Sequence, residues 1–446
     1  MTDNKLEQRI FELPVLDVHT HLVDGRLGAR GLHDVLLYHM AVSDLYAAGC
    51  PSGSRLTQYP GWPDIEEAHG RIREALPYLR FVRNTSISWG IRIILHDLYG
   101  FDEEITSDNW QRLDCLIRER ADDRAWQREI ASKAGIRRFG TEIARRNDGT
   151  DDDILQYSLE WGFFTRCQWG EFDTALYELE RCWGEKPGTS APIGSGGRAA
   201  TKRVIRTTED VRDAIEWYIS QFPEQVISTA THISTDIDYR LIGDREMAAA
   251  LARRADAGPD QRDIYASYIN EVFLSALEKR LGDKIVFQFS FGAEPLPFES
   301  ASRLSQRTIG QLADMISRHP GLRFQGFLSS RHANQSLCTL CRELPNLSLS
   351  GYWWHNFFPS TIRQIIEERL DMLPTNRQVG FFSDAYCMEW AYAKSVMVRR
   401  ELARVLSDKV GSGQYDADLA VDIAREILFE TPKALLGMVP GPTPFE

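Results

Sequence analysis

The feature that most limits what this chain can fold into is an alternation. Short β-favouring runs recur along it, separated by stretches whose apolar residues carry helical spacing. The runs are 15–22, 135–140, 162–167, 225–232, 284–290, 321–327, 346–351 and 378–384. Parallel strands need a crossover between them, and a helix is the usual one. Eight strand–helix units therefore predict an α/β fold, a parallel sheet closed into a (β/α)8 TIM barrel. Residues at about 30–130 carry helical periodicity with no strand, as in GLHDVLLYHMAVSDLYAAG and DNWQRLDCLIRERADD. They are expected to be a helical insertion after strand 1, leaving residues 1–446 as one barrel domain, a length that barrels with insertions reach.

Barrel enzymes build their sites at the carboxyl ends of the strands. Polar residues stand at those ends here: His19 and His21, Thr231 and His232, Ser290, Arg331, Trp354 and His355, and Asp384. The first run, Val-Leu-Asp-Val-His-Thr-His-Leu, ends in a His-x-His pair. Residues two apart on an extended strand point the same way, so two neutral imidazoles can converge on one metal ion. Spacing alone reads equally as two surface histidines; the apolar run leading into the pair, and Asp17 beside it as an acceptor for a ligand imidazole, favour ligation. Tyr38 and His39 lie on the first helix after the pair, as pocket residues or as part of a packed amphipathic face.

Composition excludes several roles. A formal charge of -12 argues against nucleic acid or an anionic membrane as partner, and requires a locally positive pocket for an anionic substrate. The polar start MTDNKLEQRIFELP has no signal-peptide core, and no run approaches the length of a membrane span. Seven scattered cysteines do not form a disulfide framework, so a cytoplasmic location is expected. Cys338 and Cys341 form a lone C-x-x-C on an apolar helical face and are expected to pack in the core. Residues 184–203, rich in Gly, Pro and Ser, read as a mobile loop; their GSGGR matches no phosphate-binding fingerprint.

Strand one ending in His-x-His and a last strand ending in Asp resemble the ligand pattern of the amidohydrolase superfamily, and several segments resemble its uronate (glucuronate) isomerase family. V-F-Q-F-S-F-G-A at 286–293 is similar to that family's Q-Y-H-I-G-A, and Ser329-Ser330-Arg331 to Asn-Pro-Arg. Gly351-Tyr-Trp-Trp-His-Asn356 is similar to Gly-Trp-Trp-Phe-Asn, and Val379-Gly-Phe-Phe-Ser-Asp384 to Val-Gly-Met-Leu-Thr-Asp. The matches run in order along nearly the whole chain. The departures fall on polar positions: Tyr386 stands where the family has Arg, Ser290 where it has His, Gly170 or Glu171 near a third-strand Arg, and Thr231 for an acidic residue.

The resemblance implies a divalent metal, Zn before others, on His19, His21 and Asp384, with His232 as a fourth neighbour. It implies aldose–ketose isomerisation of a uronic acid or related sugar acid, with Asp384, Tyr386 and His232 in the proton-transfer machinery. Arg331, Trp353, Trp354, His355 and His39 would bind this small-molecule substrate, with Arg166 as a further cation. Two alternatives stay open: metal-dependent hydrolysis of a sugar-acid lactone, ester or amide, and a barrel that binds without catalysis. Assembly as a homo-oligomer also stays open.

Overall fold

A computed structural model describes residues 3–51, 65–160, 171–184, 203–223, 226–294 and 303–438. Eight parallel strands form one sheet in sequence order: β1 (Val15–Asp17), β2 (Ile136–Glu142), β3 (Leu155–Glu160), β4 (Val226–His232), β5 (Val286–Phe291), β6 (Arg323–Leu328), β7 (Leu347–Ser350) and β8 (Gln378–Val379). The sheet curls so that the segments beyond its two edge strands meet. The Asp384 N–H donates to the His19 carbonyl at 3.0 Å, and the His21 N–H to the Ala385 carbonyl at 2.8 Å. The Asp17 carboxylate accepts the Ser383 N–H at 2.9 Å, so a buried acid on β1 also ties down the chain beyond β8.

The interior is apolar at one end and amide-linked in the middle. Leu16, Val18, Val286, Phe327, Val379 and Phe382 pack together with Leu436 and Met438 from the C-terminal segment. Above them Ser228 donates to Gln288 Oε1 (3.1 Å), and the Gln288 amide donates to Gln325 Oε1 (2.7 Å). These links satisfy the buried Gln288 amide, while Gln325 Nε2 has no hydrogen-bond partner among the described residues.

Between β1 and β2 the regular elements among the described residues are helices, chiefly His39–Ala47, Ile65–Ala75, Ser86–Tyr99, Trp110–Arg118 and Arg124–Lys133. Helix Ser86–Tyr99 starts where the Thr85 side chain accepts the Ser88 N–H and ends at Gly100, whose φ of +61° suits glycine. Its buried Ile87, Gly90, Ile91 and Ile94 face the long helix Met388–Gly411 that follows β8. The approach is close: a Cβ at Gly90 would stand 2.9 Å from Trp390. The helices after β1 and the helix after β8 thus share one apolar core.

Several boundaries differ from those read in the sequence. β1 and β8 are short, so the histidines lie two and four residues past β1, and Asp384 lies five past β8. β3 is Leu155–Glu160; the run 162–167, with Arg166 and Gly170, lies outside the described residues, as do 185–202 of the Gly/Pro/Ser-rich loop. Cys338 and Cys341 are buried free thiols, as expected for core packing, and burial pushes Cys338 up to about 11. Among the described residues no helix is long and apolar enough to cross a membrane.

Candidate metal centre and active site

His19 and His21 leave β1 on backbone held straight by neighbours: the Thr20 N–H donates to the Gly140 carbonyl at 2.6 Å, between the two histidines. Their side chains meet Asp384, with His21 Nε2 at 3.2 Å and His19 Nε2 at 3.7 Å from the same carboxylate oxygen. One donor atom from each of the three residues falls within 4.8 Å of the other two. Two imidazole nitrogens and a carboxylate oxygen, partly buried and this close, fit a first-row divalent ion with room for further ligands. Asp384 sits at φ +54°, a left-handed conformation uncommon for a residue other than glycine, as does Trp354.

The two histidines have opposite electrostatics. Burial, followed by the charge of His21, pulls His19 down to about 4, so it is neutral at pH 7. Burial also pulls on His21, but the Glu142 carboxylate and hydrogen bonds to Asp384 and Glu142 outweigh it and raise His21 to about 9. Glu142 Oε1 lies 3.2 Å from His21 Nδ1, and Glu142 in turn accepts from Arg145 Nε at 2.7 Å. Burial opposes ionisation of Asp384, yet the hydrogen bond and charge of His21, with Lys394 behind, hold it far below the usual carboxylate range.

His39 approaches the other Asp384 oxygen to 3.8 Å and stacks on Trp354 with ring centroids 4.8 Å apart. Both its ring nitrogens are buried without a hydrogen bond, and burial lowers it to about 3, so it is neutral. Tyr386 stacks on His21 at 4.6 Å, with the Arg145 guanidinium 5.8 Å from the tyrosine ring. Trp353 lies 6.0 Å from Trp354 and 5.6 Å from His232. His232 bonds Ser290 through Nδ1 at 3.1 Å and stands outside the three-residue donor group. His355 is exposed beside Trp354. Arg331 is exposed too, its guanidinium donating to Gln364 rather than to any residue of the histidine cluster.

Sequence reading missed Glu142, Arg145 and Lys394. A cavity of about 30 Å³ lies beside His21 and Tyr386, and Arg26, Arg30 and Arg145 line it. Arg30 is paired through two bonds with Asp34 (2.7 and 2.8 Å). A larger cavity, about 1080 Å³, lies among the helices after β1, around Leu79, Trp89 and Ile93, and none of the site residues lines it.

No family model matches the sequence, and no curated protein matches it. Solved structures do. A glucuronate isomerase from Caulobacter crescentus superposes with TM-score 0.77 at 16% identity, covering 98% of this chain and 94% of that one. A uronate isomerase from Thermotoga maritima gives TM-score 0.76 at 11% identity, covering 97% of each. A candidate metal-dependent hydrolase from Lactobacillus casei gives 0.57 at 12%, again over 97% of each. The chain therefore has the fold of the uronate isomerases.

Proposed function

We propose that this protein is a metal-dependent isomerase of sugar acids, interconverting the aldose and ketose forms of a uronic acid or a close relative. The observation that carries the reading is the His19–His21–Asp384 donor group, with the Arg145 guanidinium 3.3 Å from the His21 ring. The metal, Zn or another first-row divalent ion, would be held by His19, His21 and Asp384 and would polarise the substrate's carbonyl and hydroxyl oxygens.

The side chains divide the remaining work. Asp384, ionised at neutral pH, takes the proton from C2 and returns it to C1. The Tyr386 hydroxyl, carried on a ring stacked against His21, supplies a proton to the C1 oxygen as charge develops there and recovers one from the C2 hydroxyl when the enediol collapses to the ketose. His39, neutral and with both nitrogens unbonded, can accept from one substrate hydroxyl and donate to another. Trp353 and Trp354 offer flat apolar faces to the carbon chain. The substrate carboxylate is assigned to Arg145 with Arg26, not to Arg331.

The test is to incubate metal-loaded protein with a panel of hexuronates, their lactones and their amides in D₂O, following products by NMR. Ketose signals with deuterium at C1 or C2 support isomerisation. Cleavage of the lactone or amide would replace the reading by hydrolysis, and binding without conversion by a non-catalytic role.

A further inference from the structure

We propose that Lys394 is a positioning residue of the metal centre: its buried ammonium, directly and through Tyr38, fixes the two peptide groups that flank Asp384. Lys394 lies on helix Met388–Gly411, ten residues past the aspartate, and is almost wholly buried. Its Nζ donates to the Ser383 carbonyl at 2.6 Å and to the Tyr38 hydroxyl at 2.7 Å. Tyr38 passes the contact on by donating to the Asp384 carbonyl at 3.0 Å. The carbonyls before and after the Asp384 Cα are thus tied to one cation. The N–H groups of the same turn are tied to β1 and its extension, Ser383 to Asp17 and Asp384 to His19.

This clamp matters because the turn is strained. With φ at +54°, Asp384 left to itself would relax toward the ordinary region, and its carboxylate would swing away from His19 and His21. Stability does not account for the lysine. Among the described residues no carboxylate lies within ion-pair distance of Nζ; it has two neutral acceptors and the faces of Tyr38 and Phe357, at 4.9 and 4.5 Å, with Asp384 and Asp17 acting on it only through longer-range charge. Replacing a buried charge by an apolar side chain of similar length often costs folding little, so the fold alone does not require an ammonium here. It is of use where a carbonyl must be held in place, and here that carbonyl belongs to the peptide that aims a metal ligand.

The proposal rests on the metal-centre reading and not on the isomerase reading, so its test is metal binding. Co²⁺ affinity is measured by competition with a chromophoric chelator, and the visible Co²⁺ bands are recorded, for wild type, Lys394→Met and Tyr38→Phe. Circular dichroism of the metal-free proteins reports the fold. The expected result is a Lys394→Met protein with the wild-type far-UV spectrum, a loss of Co²⁺ affinity on the order of 10–100-fold and altered bands. Tyr38→Phe, which cuts only the relay to the second carbonyl, should lose less. Should Lys394→Met fail to fold, Tyr38→Phe alone decides. Wild-type affinity and bands in the folded variants would overturn the positioning role and leave the metal centre standing. No Co²⁺ binding by wild type would overturn the centre and the role with it.

Discussion

Metal binding by this site should depend steeply on pH, and His21 sets the direction. In the metal-free protein Glu142 and Asp384 hold a proton on His21 up to about pH 9, while His19 is already neutral above about pH 4. A metal ion binds neutral imidazole, so it must displace the His21 proton. At pH 7 that proton is two units below its pKa, a penalty of about 3 kcal/mol, or roughly a hundredfold in apparent affinity. Affinity should therefore climb about tenfold per pH unit from 7 toward 9 and then level. The linkage to folding has the opposite sign. A histidine raised in the folded state stabilises the metal-free protein fully below its unfolded pKa of about 6.5, and that contribution is lost as pH rises through about 9. Glu142→Gln removes the main charge behind the shift, so the rise in affinity should move to lower pH and binding at pH 7 should tighten. Isothermal titration calorimetry with Zn²⁺ in buffers of different ionisation enthalpy gives both affinity and protons released, near one per metal at pH 7. A flat affinity between pH 7 and 9, or a Glu142→Gln profile superimposed on wild type, would refute the reasoning.

Four other outcomes are expected. Gly351→Ala should destabilise the fold by at least about 3 kcal/mol in denaturant titration, because φ is +43° and the new methyl would stand 2.2 Å from the Phe382 ring. Trp390→Ala should cost about 3–5 kcal/mol and lower a single unfolding transition, since Trp390 stacks on Tyr38 at 4.5 Å in the core shared by both sets of helices; separate loss of the helical part would show that residues 30–130 form an independent unit. Arg145→Met should raise KM for an anionic sugar substrate several-fold, less than about tenfold because Glu142 already takes much of its charge, while leaving an uncharged analogue within about twofold. D-Glucuronate and D-galacturonate should turn over below roughly 10⁴ M⁻¹s⁻¹ in kcat/KM.

Much of this arrangement was legible because parallel strands covered on both faces read as apolar runs, and their ends announce themselves by polar residues. Misreadings have local causes. The run 162–167 lies outside the described residues; the described third strand, Leu155–Glu160, alternates Gln156 and Ser158 with apolar residues and so does not read as an apolar run. The second apolar run of the sequence stops at Gly140, two residues short of Glu142, where β2 ends. Gly140 is there for a steric reason: a Cβ would stand 2.6 Å from the Val18 carbonyl, so only glycine lets β1 and β2 approach where the histidines begin. Lys394, within an otherwise apolar helical face, carried no motif; its role depends on Tyr38, some 356 residues earlier in the chain.

The relocation of positive charge bears on what the site selects. The family positions expected to hold arginine carry Tyr386 and either Gly170 or Glu171, and Arg331 is occupied with Gln364. Guanidinium groups come instead from the segments after β1 and β2, as Arg26, Arg30 and Arg145. Two of these are already committed, Arg30 to Asp34 and Arg145 to Glu142, so each enters the cavity with much of its charge neutralised. Only Arg26, exposed at the rim, has no ion-pair partner among the described residues. Charge-assisted bidentate pairing is what lets a buried site insist on a carboxylate. A rim arginine in water contributes far less, as exposed pairs do. Under the proposed function, positive charge supplied this way would weaken the preference for a full hexuronate carboxylate and favour a smaller, lactonised or less acidic relative.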